Sequence, residues 1–442
     1  MAQTQEVSRT AGIKISSVAL AGLLFGGSLT AWAAKAPLHA VQDAALESGH
    51  DSRERIRVRL TEGVEEARLH AFDLTLLEHG RSVFRADRLS NWTLHCDSMG
   101  KVEFTEVVEP ARAGETTGTP LPRRLGFTSP VALETPAGFL SFQGKPYRER
   151  LRVYAGKRGC EVVNEVDLEE YLDGLVNSEF SAKWSEEAVA AQVVAARTYA
   201  YSRMLQSRKK ASQHFDVEST VKDQVYGGSA AEDFRAARII EKTRGLVLTV
   251  PGGAPLKAFY HSTCGGQTEL PEHVWGAAEP GFKHKVICPY CKHSPAFNWK
   301  LKLGSKEILD AIRNGIDQDG VPVDWPAAAR EAMNSGKLID FAMKRDDSER
   351  VLELGLVWLV GSKRVVMPIS GVSFRNWLGA GRFRSTAFNV SPVPGGWAFS
   401  GRGNGHGVGM CQWGAKVMAE QGKTYAAILK LYYPDARLTK LW

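Results

Sequence analysis

The stretch from Asn164 to Met204 constrains this chain more than any other. It carries two helical patterns around a short break. In the first, Leu168, Leu172, Leu175 and Val176 fall on one face, and Asp167 stands at the N-cap with Glu170 three residues on. In the second, Ser185 is placed to cap the helix, and Glu186 and Glu187 sit in its first turn, where the helix dipole favours acids. Val189, Val193, Ala196 and Ala200 then form an apolar stripe of mostly small residues that lets a neighbour pack close. Gln192 and Arg197 are polar groups embedded in it. Between the helices, Asn177-Ser178-Glu179-Phe180 puts a carboxylate at a junction beside aromatics. Glu165, Asp167, Glu169, Glu170 and Asp173 crowd the same region, so pattern alone reads Glu179 as a capping or solvated acid.

Before that stretch, the chain reads as a leader followed by strands. Arg9 and Lys14 precede an apolar run from Val18 to Leu29, and Ala31-Trp32-Ala33 offers small residues for cleavage after Ala33. Residues 1–33 are therefore expected to be a signal peptide, and the mature protein to be exported to the periplasm or cell envelope. An uncleaved anchor is the alternative, but the run is short for a membrane span. The absence of a Cys after the site argues against a lipoprotein, and no later segment is long and apolar enough to cross a membrane. Residues 34–54 read as a linker. Arg55 to Leu60 alternates strictly, as a half-buried strand should. Further strands are expected near 74–77, 92–96, 102–107 and 140–165, with a Gly/Thr/Pro-rich loop at 110–122, giving a strand-rich region over 55–160.

After Met204, residues 230–243 read as a helix and 246–250 as a strand. Residues 305–345 carry helical patterns within an inserted lobe near 296–365. From Gly401 to Gly409 glycines alternate, which lets a backbone bend tightly or approach another group closely. The block fits neither a dinucleotide fingerprint nor a P-loop. A formal net charge of +7 suits an anionic envelope polymer, nucleic acid or simple solubility equally well, and no nucleic-acid motif accompanies it.

Several blocks, in order, resemble the stage II sporulation protein D family, which includes the amidase enhancers. They are Val163 to Leu172, Glu179, Trp184 to Ala200, Thr220 to Gly228, Ala258 to Thr268, Trp275-Gly276, Ile369 to Phe388 and Gly401 to Ala415. The resemblance covers most of the chain from about residue 55, except much of 296–365, and assigns 161–442 to the family's catalytic domain. The sequence departs from the family at Cys411, where a Ser is usual. Characterised sporulation members are lytic transglycosylases whose junction glutamate is the acid/base, so the resemblance makes Glu179 the expected catalytic residue. Arg197, Gln224, Tyr260, His406 and Gln412 are expected to contact substrate, with Tyr199, Tyr201 and Trp413 as further sugar-facing aromatics or core residues.

Six cysteines are present. Cys288-Pro289-Tyr290-Cys291 is a knuckle, and His261-Ser262-Thr263-Cys264 offers a partner. Such paired spacings suit tetrahedral zinc. The expected ligands of a structural zinc are Cys264, Cys288, Cys291 and His261, with His273, His284 or His293 as alternatives for the fourth. Disulfides are the rival reading, and Cys96 with Cys160 is a further candidate pair.

The implied function is cleavage of the MurNAc–GlcNAc β-1,4 bond of peptidoglycan to leave 1,6-anhydro ends, on strands stripped of stem peptides. No cofactor is needed for that chemistry. Expected partners are glycan strands and a cell-wall amidase, not nucleic acid. Two rivals stand beside this: a non-catalytic wall-binding enhancer of an N-acetylmuramoyl-L-alanine amidase, and a zinc amidase, against which the closed look of the cysteine set argues. The expected fold is α+β: twisted antiparallel strands against the catalytic helices, with a smaller second lobe across a groove.

Overall fold

The computed structural model describes residues 54–108, 121–320, 322 and 325–442. The expected leader, nearly all of the linker and most of the 110–122 loop lie outside the described residues. The fold is α+β.

The strand alternation read from Arg55 onward becomes a large sheet. Ile56 and Val58 are wholly buried on one face of β1 (Arg55–Val64). β2 (Glu66–Glu78) and β3 (Arg81–Cys96) form a long antiparallel ribbon, continued by β4 (Lys101–Glu106) and β5 (Arg124–Thr128). β6 (Val131–Glu134) joins β2 to β9 (Arg150–Gly156), which pairs with β10 (Gly159–Asp167). β7 (Phe139–Phe142) and β8 (Lys145–Arg148) make a side hairpin, and β10 returns to β1. Every pairing among these is antiparallel, and only β11 (Val217–Glu218) adds to β1 in parallel. Cys96 and Cys160 form a disulfide that ties β3 to β10.

β10 runs directly into α1 (Leu168–Glu179). Asp167 caps it by accepting from the backbone N–H groups of Glu169 and Glu170 at 2.9 and 3.3 Å. The reciprocal bond to Asp167 N–H comes from Glu149, not from Glu170. α2 (Glu186–Ser207) follows. Ser185 holds the cap position, but its side chain makes no capping bond. The expected single apolar stripe understates this helix: every residue from Ala188 to Ala200 is buried. α1, the helices Phe234–Lys242, Gln412–Glu420 and Tyr425–Tyr432, the strand Leu246–Thr249 and β1 all pack on it. A helix covered on every side needs small or apolar residues all round, which the run of alanines and valines supplies.

A second, separate hydrophobic core gathers Trp299, Ile308, Ile312, Phe341, Trp358, Phe374, Phe383, Trp397 and Phe399. It is built on two three-stranded antiparallel sheets, the 15-residue helix Ser305–Asp319 and two shorter helices. Residues 337–345, expected to be helical, form a strand instead. Its inward positions Leu338 and Phe341 are buried against that aromatic core, and tertiary packing overrides a weak local period.

Candidate functional site

Glu179 is the last residue of α1, and the chain leaves the helix there with Phe180 in an extended conformation. Its Oε1 accepts a hydrogen bond from Val225 N–H at 2.5 Å. The loop that carries Val225 is fixed on both sides. Asp223 accepts from Tyr199 Oη at 2.6 Å and from Glu218 N–H at 2.9 Å, while Tyr226 Oη donates to Asn164 at 2.9 Å and Gly227 N–H to Gly174 O at 3.0 Å. Burial pushes the Glu179 carboxyl above the usual glutamate range, opposed only by the Val225 N–H, and no neighbouring carboxylate contributes. Among the described residues no Lys, Arg or His forms an ion pair with it. This is the environment of a carboxyl that stays protonated at higher pH than a solvated one.

Gln224, wholly buried, accepts from Tyr171 Oη at 3.1 Å and donates to Tyr260 Oη at 3.0 Å. The charge of Glu179 acts on both tyrosines, whose phenols burial already holds far above their usual range. Gln412 donates to the backbone O of Glu179 at 3.3 Å and to Gln192 at 3.4 Å. Gln224, Tyr260 and Gln412 thus cluster around the junction acid.

Arg197 does not belong to this cluster. It is completely buried and paired with Glu169 at 2.6 Å, and it also donates to the backbone of Ile240 and Leu246. No donor remains for a substrate, which corrects the expected contact role. Its position inside α2 turns it toward the interior, where a buried guanidinium requires a carboxylate partner. His406 lies against Trp275, Phe259 and His261, with ring centroids 5.1, 6.1 and 5.5 Å away, and its Nδ1 accepts from Val408 N–H. Burial keeps it neutral. Tyr199 is committed to Asp223, and Tyr201 packs on Trp442.

Sequence reasoning named Trp413 as a sugar-facing candidate but missed the aromatic patch it joins next to Glu179. Phe180 meets Trp184 edge-on at 4.4 Å, Trp184 meets Trp413 at 5.3 Å, and Lys416 Nζ stands 5.6 and 5.2 Å from the two indole rings. The signal was present: Trp413 and Lys416 are three apart on one helix face.

The cysteine set also differs from expectation. Cys264, Cys288, Cys291 and Cys411 are all buried, and their Sγ atoms lie within 4.8 Å of one another. His261 is not among them. Its Nδ1 bonds Val408 O at 3.1 Å, and burial lowers its pKa to about 3. His261 ends a two-residue strand, Tyr260–His261, that pairs in parallel with Met410–Cys411, and it is Cys411 on the partner strand whose sulfur reaches the other three.

One of the alternating glycines, Gly409, serves this strand pairing. Gly409 has φ +71°, and a Cβ there would stand 2.0 Å from Phe259 O, which also accepts from Met410 N–H at 3.1 Å. The close approach is therefore to backbone, not to a ligand. Gly409→Ala combines a left-handed backbone with a clash that no side chain can relieve. It is expected to cost about 2–3 kcal/mol, measured as a lower urea midpoint.

The architecture and site define a class: an α+β protein presenting one desolvated acid at a helix junction. Comparison with known proteins gives its relatives by sequence. A family model described as Stage II sporulation protein matches residues 156–250. An uncharacterized protein of Brachyspira hyodysenteriae is 31% identical over 69% of this chain and 74% of its own length. The Amidase enhancer of Bacillus subtilis is 31% identical over 61% of this chain but only 40% of its own, and Stage II sporulation protein D of Bacillus subtilis is 29% identical over 63% and 76%. The chain belongs to the stage II sporulation protein D and amidase enhancer family. Among the described residues no helix is long and apolar enough to cross a membrane.

Proposed function

We propose that this protein acts on the bacterial cell wall as a lytic transglycosylase, with Glu179 as its single acid/base. The observation that supports this most is the carboxyl itself: desolvated, unpaired by any cation among the described residues, and held by the Val225 N–H. In the proposed reaction the Glu179 carboxyl protonates the GlcNAc O4 as the bond to MurNAc C1 breaks. The resulting carboxylate then takes the proton of the MurNAc 6-hydroxyl, whose oxygen bonds C1, and the acid is regenerated. The nucleophile belongs to the substrate, so a paired second carboxylate of the kind used by hydrolytic glycosidases is not required. The names of the relatives, Stage II sporulation protein D and Amidase enhancer, support a wall-related role.

The Phe180–Trp184–Trp413 patch is proposed to contact the apolar faces of the sugar rings, and Lys416 to meet a substrate carboxylate. Trp413→Ala is expected to raise KM about tenfold, equivalent to ~1.4 kcal/mol, with kcat nearly unchanged. An unchanged KM in a folded variant would assign Trp413 to packing alone.

The deciding experiment is mass spectrometry of intact and peptide-stripped glycan after digestion. Anhydro ends support the reading. No product from either substrate, with stimulation of a partner amidase instead, replaces it with the enhancer function that one relative's name carries. Released stem peptides would indicate amidase chemistry.

A further inference from the structure

We propose that Cys264, Cys288, Cys291 and Cys411 form a closed, structural centre for one zinc ion, with Cys411 and not His261 as its fourth ligand. The proposal stands independently of the glycan-cleavage reading.

Four buried thiols converging on one point need an explanation. A tetrahedral zinc with bonds of about 2.3 Å to sulfur sets its ligands about 3.8 Å apart. Cys264 and Cys291 Sγ are 3.5 Å apart, and the whole set lies within 4.8 Å. A disulfide needs about 2.05 Å, and four sulfurs that each face the other three are not arranged as two separate pairs.

The surroundings also suit thiolates. Cys264 N–H points at Cys411 Sγ at 3.3 Å, and Tyr432 Oη lies 3.1 Å from Cys288 Sγ, placed to donate to it. Such outer hydrogen bonds orient sulfur ligands and spread their charge. Four thiolates around Zn²⁺ carry a net charge of −2. Arg350, fully enclosed, donates to Cys264 O at 2.7 Å and brings a positive charge to the site. Binding releases the four thiol protons to solvent and involves no change of oxidation state. With every ligand buried, the centre has no open position for a catalytic water.

The ligands come from three distant segments. Cys264 follows the strand Tyr260–His261, Cys288 immediately precedes the turn Pro289–His293 and Cys291 lies within it, and Cys411 immediately precedes Gln412. The ion would thus fix the backbone beside Tyr260 and Gln412, two of the groups around Glu179. A second set of possible ligands, Glu269, His273 and Asp346, lacks this character. Lys285 Nζ already lies 3.3 Å from Glu269 and 2.5 Å from Asp346, and supplies the cation that a metal would.

The test uses the full chain, purified without chelators. Elemental analysis should find about one zinc per chain. Titration with an organomercurial in the presence of a zinc-sensitive dye should release that zinc only as four thiols react. His261→Ala should retain the zinc and Cys411→Ser should lose it. Should Cys411→Ser fail to fold, the wild-type titration still decides. Stoichiometric iron, a metal-free protein with four reactive thiols, or two further disulfides would overturn the centre. Loss of zinc from folded His261→Ala would overturn the ligand assignment.

Discussion

Glu179→Gln is expected to lower the formation of anhydro ends by about 100- to 10,000-fold, the usual contribution of a positioned acid/base. The amide preserves shape but cannot donate the proton to the leaving oxygen or recover one from the 6-hydroxyl. Its effect on stability should go the other way. Burial holds the Glu179 carboxyl above its ordinary 4.5. The folded state therefore keeps a proton that the unfolded chain releases above that value, and stability falls as pH rises through the window between the two. The glutamine carries no such penalty. Glu179→Gln should match wild type in thermal unfolding below pH 4.5 and exceed it at neutral pH and above. Wild-type turnover by the variant would remove Glu179 from the chemistry. A lower melting temperature at neutral pH would show that the carboxylate is stabilised in its site.

Arg197→Met is expected to destabilise the fold by about 3–5 kcal/mol, the cost of leaving one member of a buried ion pair alone. Glu169 would retain only the Gly245 N–H at 3.1 Å and the Trp442 indole N–H at 3.2 Å. Leu246 O would lose the Arg197 N–H as well, while Ile240 O would keep the Thr243 N–H at 3.2 Å. Adding Glu169→Leu removes the stranded charge, so the double variant should recover much of the loss in a urea titration. A folded Arg197→Met of unchanged stability and raised KM would instead restore the substrate-contact role expected from sequence.

The difference between these two residues shows what each level of structure decides. The α1–α2 pair was legible because its information is local. The Asp167 cap, the helical spacing of Leu168, Leu172 and Leu175, and the break at Glu179 all belong to one 12-residue helix and its cap. The strands from Arg55 were legible for the same reason, since alternation is a property of neighbours. The chemistry-bearing acid could be named from a family resemblance, but not its environment. Val225 lies 46 positions further on, and its N–H reaches Glu179 only because Asp223, Tyr226 and Gly227 are anchored to α2, β10 and α1.

What sequence could not supply was partnership between distant segments. Arg197 sits in an apolar helix and Gln224 beside Lys222 and Asp223, and either setting suits a substrate contact or a buried residue satisfied within the fold. Only packing distinguished them, by enclosing Arg197 with Glu169 and Gln224 with two tyrosines. Spacing paired His261 with Cys264 as ligands because they are three residues apart. The parallel strand bridge brings in Cys411 from 147 positions away and turns His261 toward Val408. The sequence by itself determined the helix junction, the strand-rich half and the residue types of both sites. The tertiary structure decided which polar groups face one another, because burial makes most such groups take a partner, and that partner is chosen by topology and not by proximity along the chain.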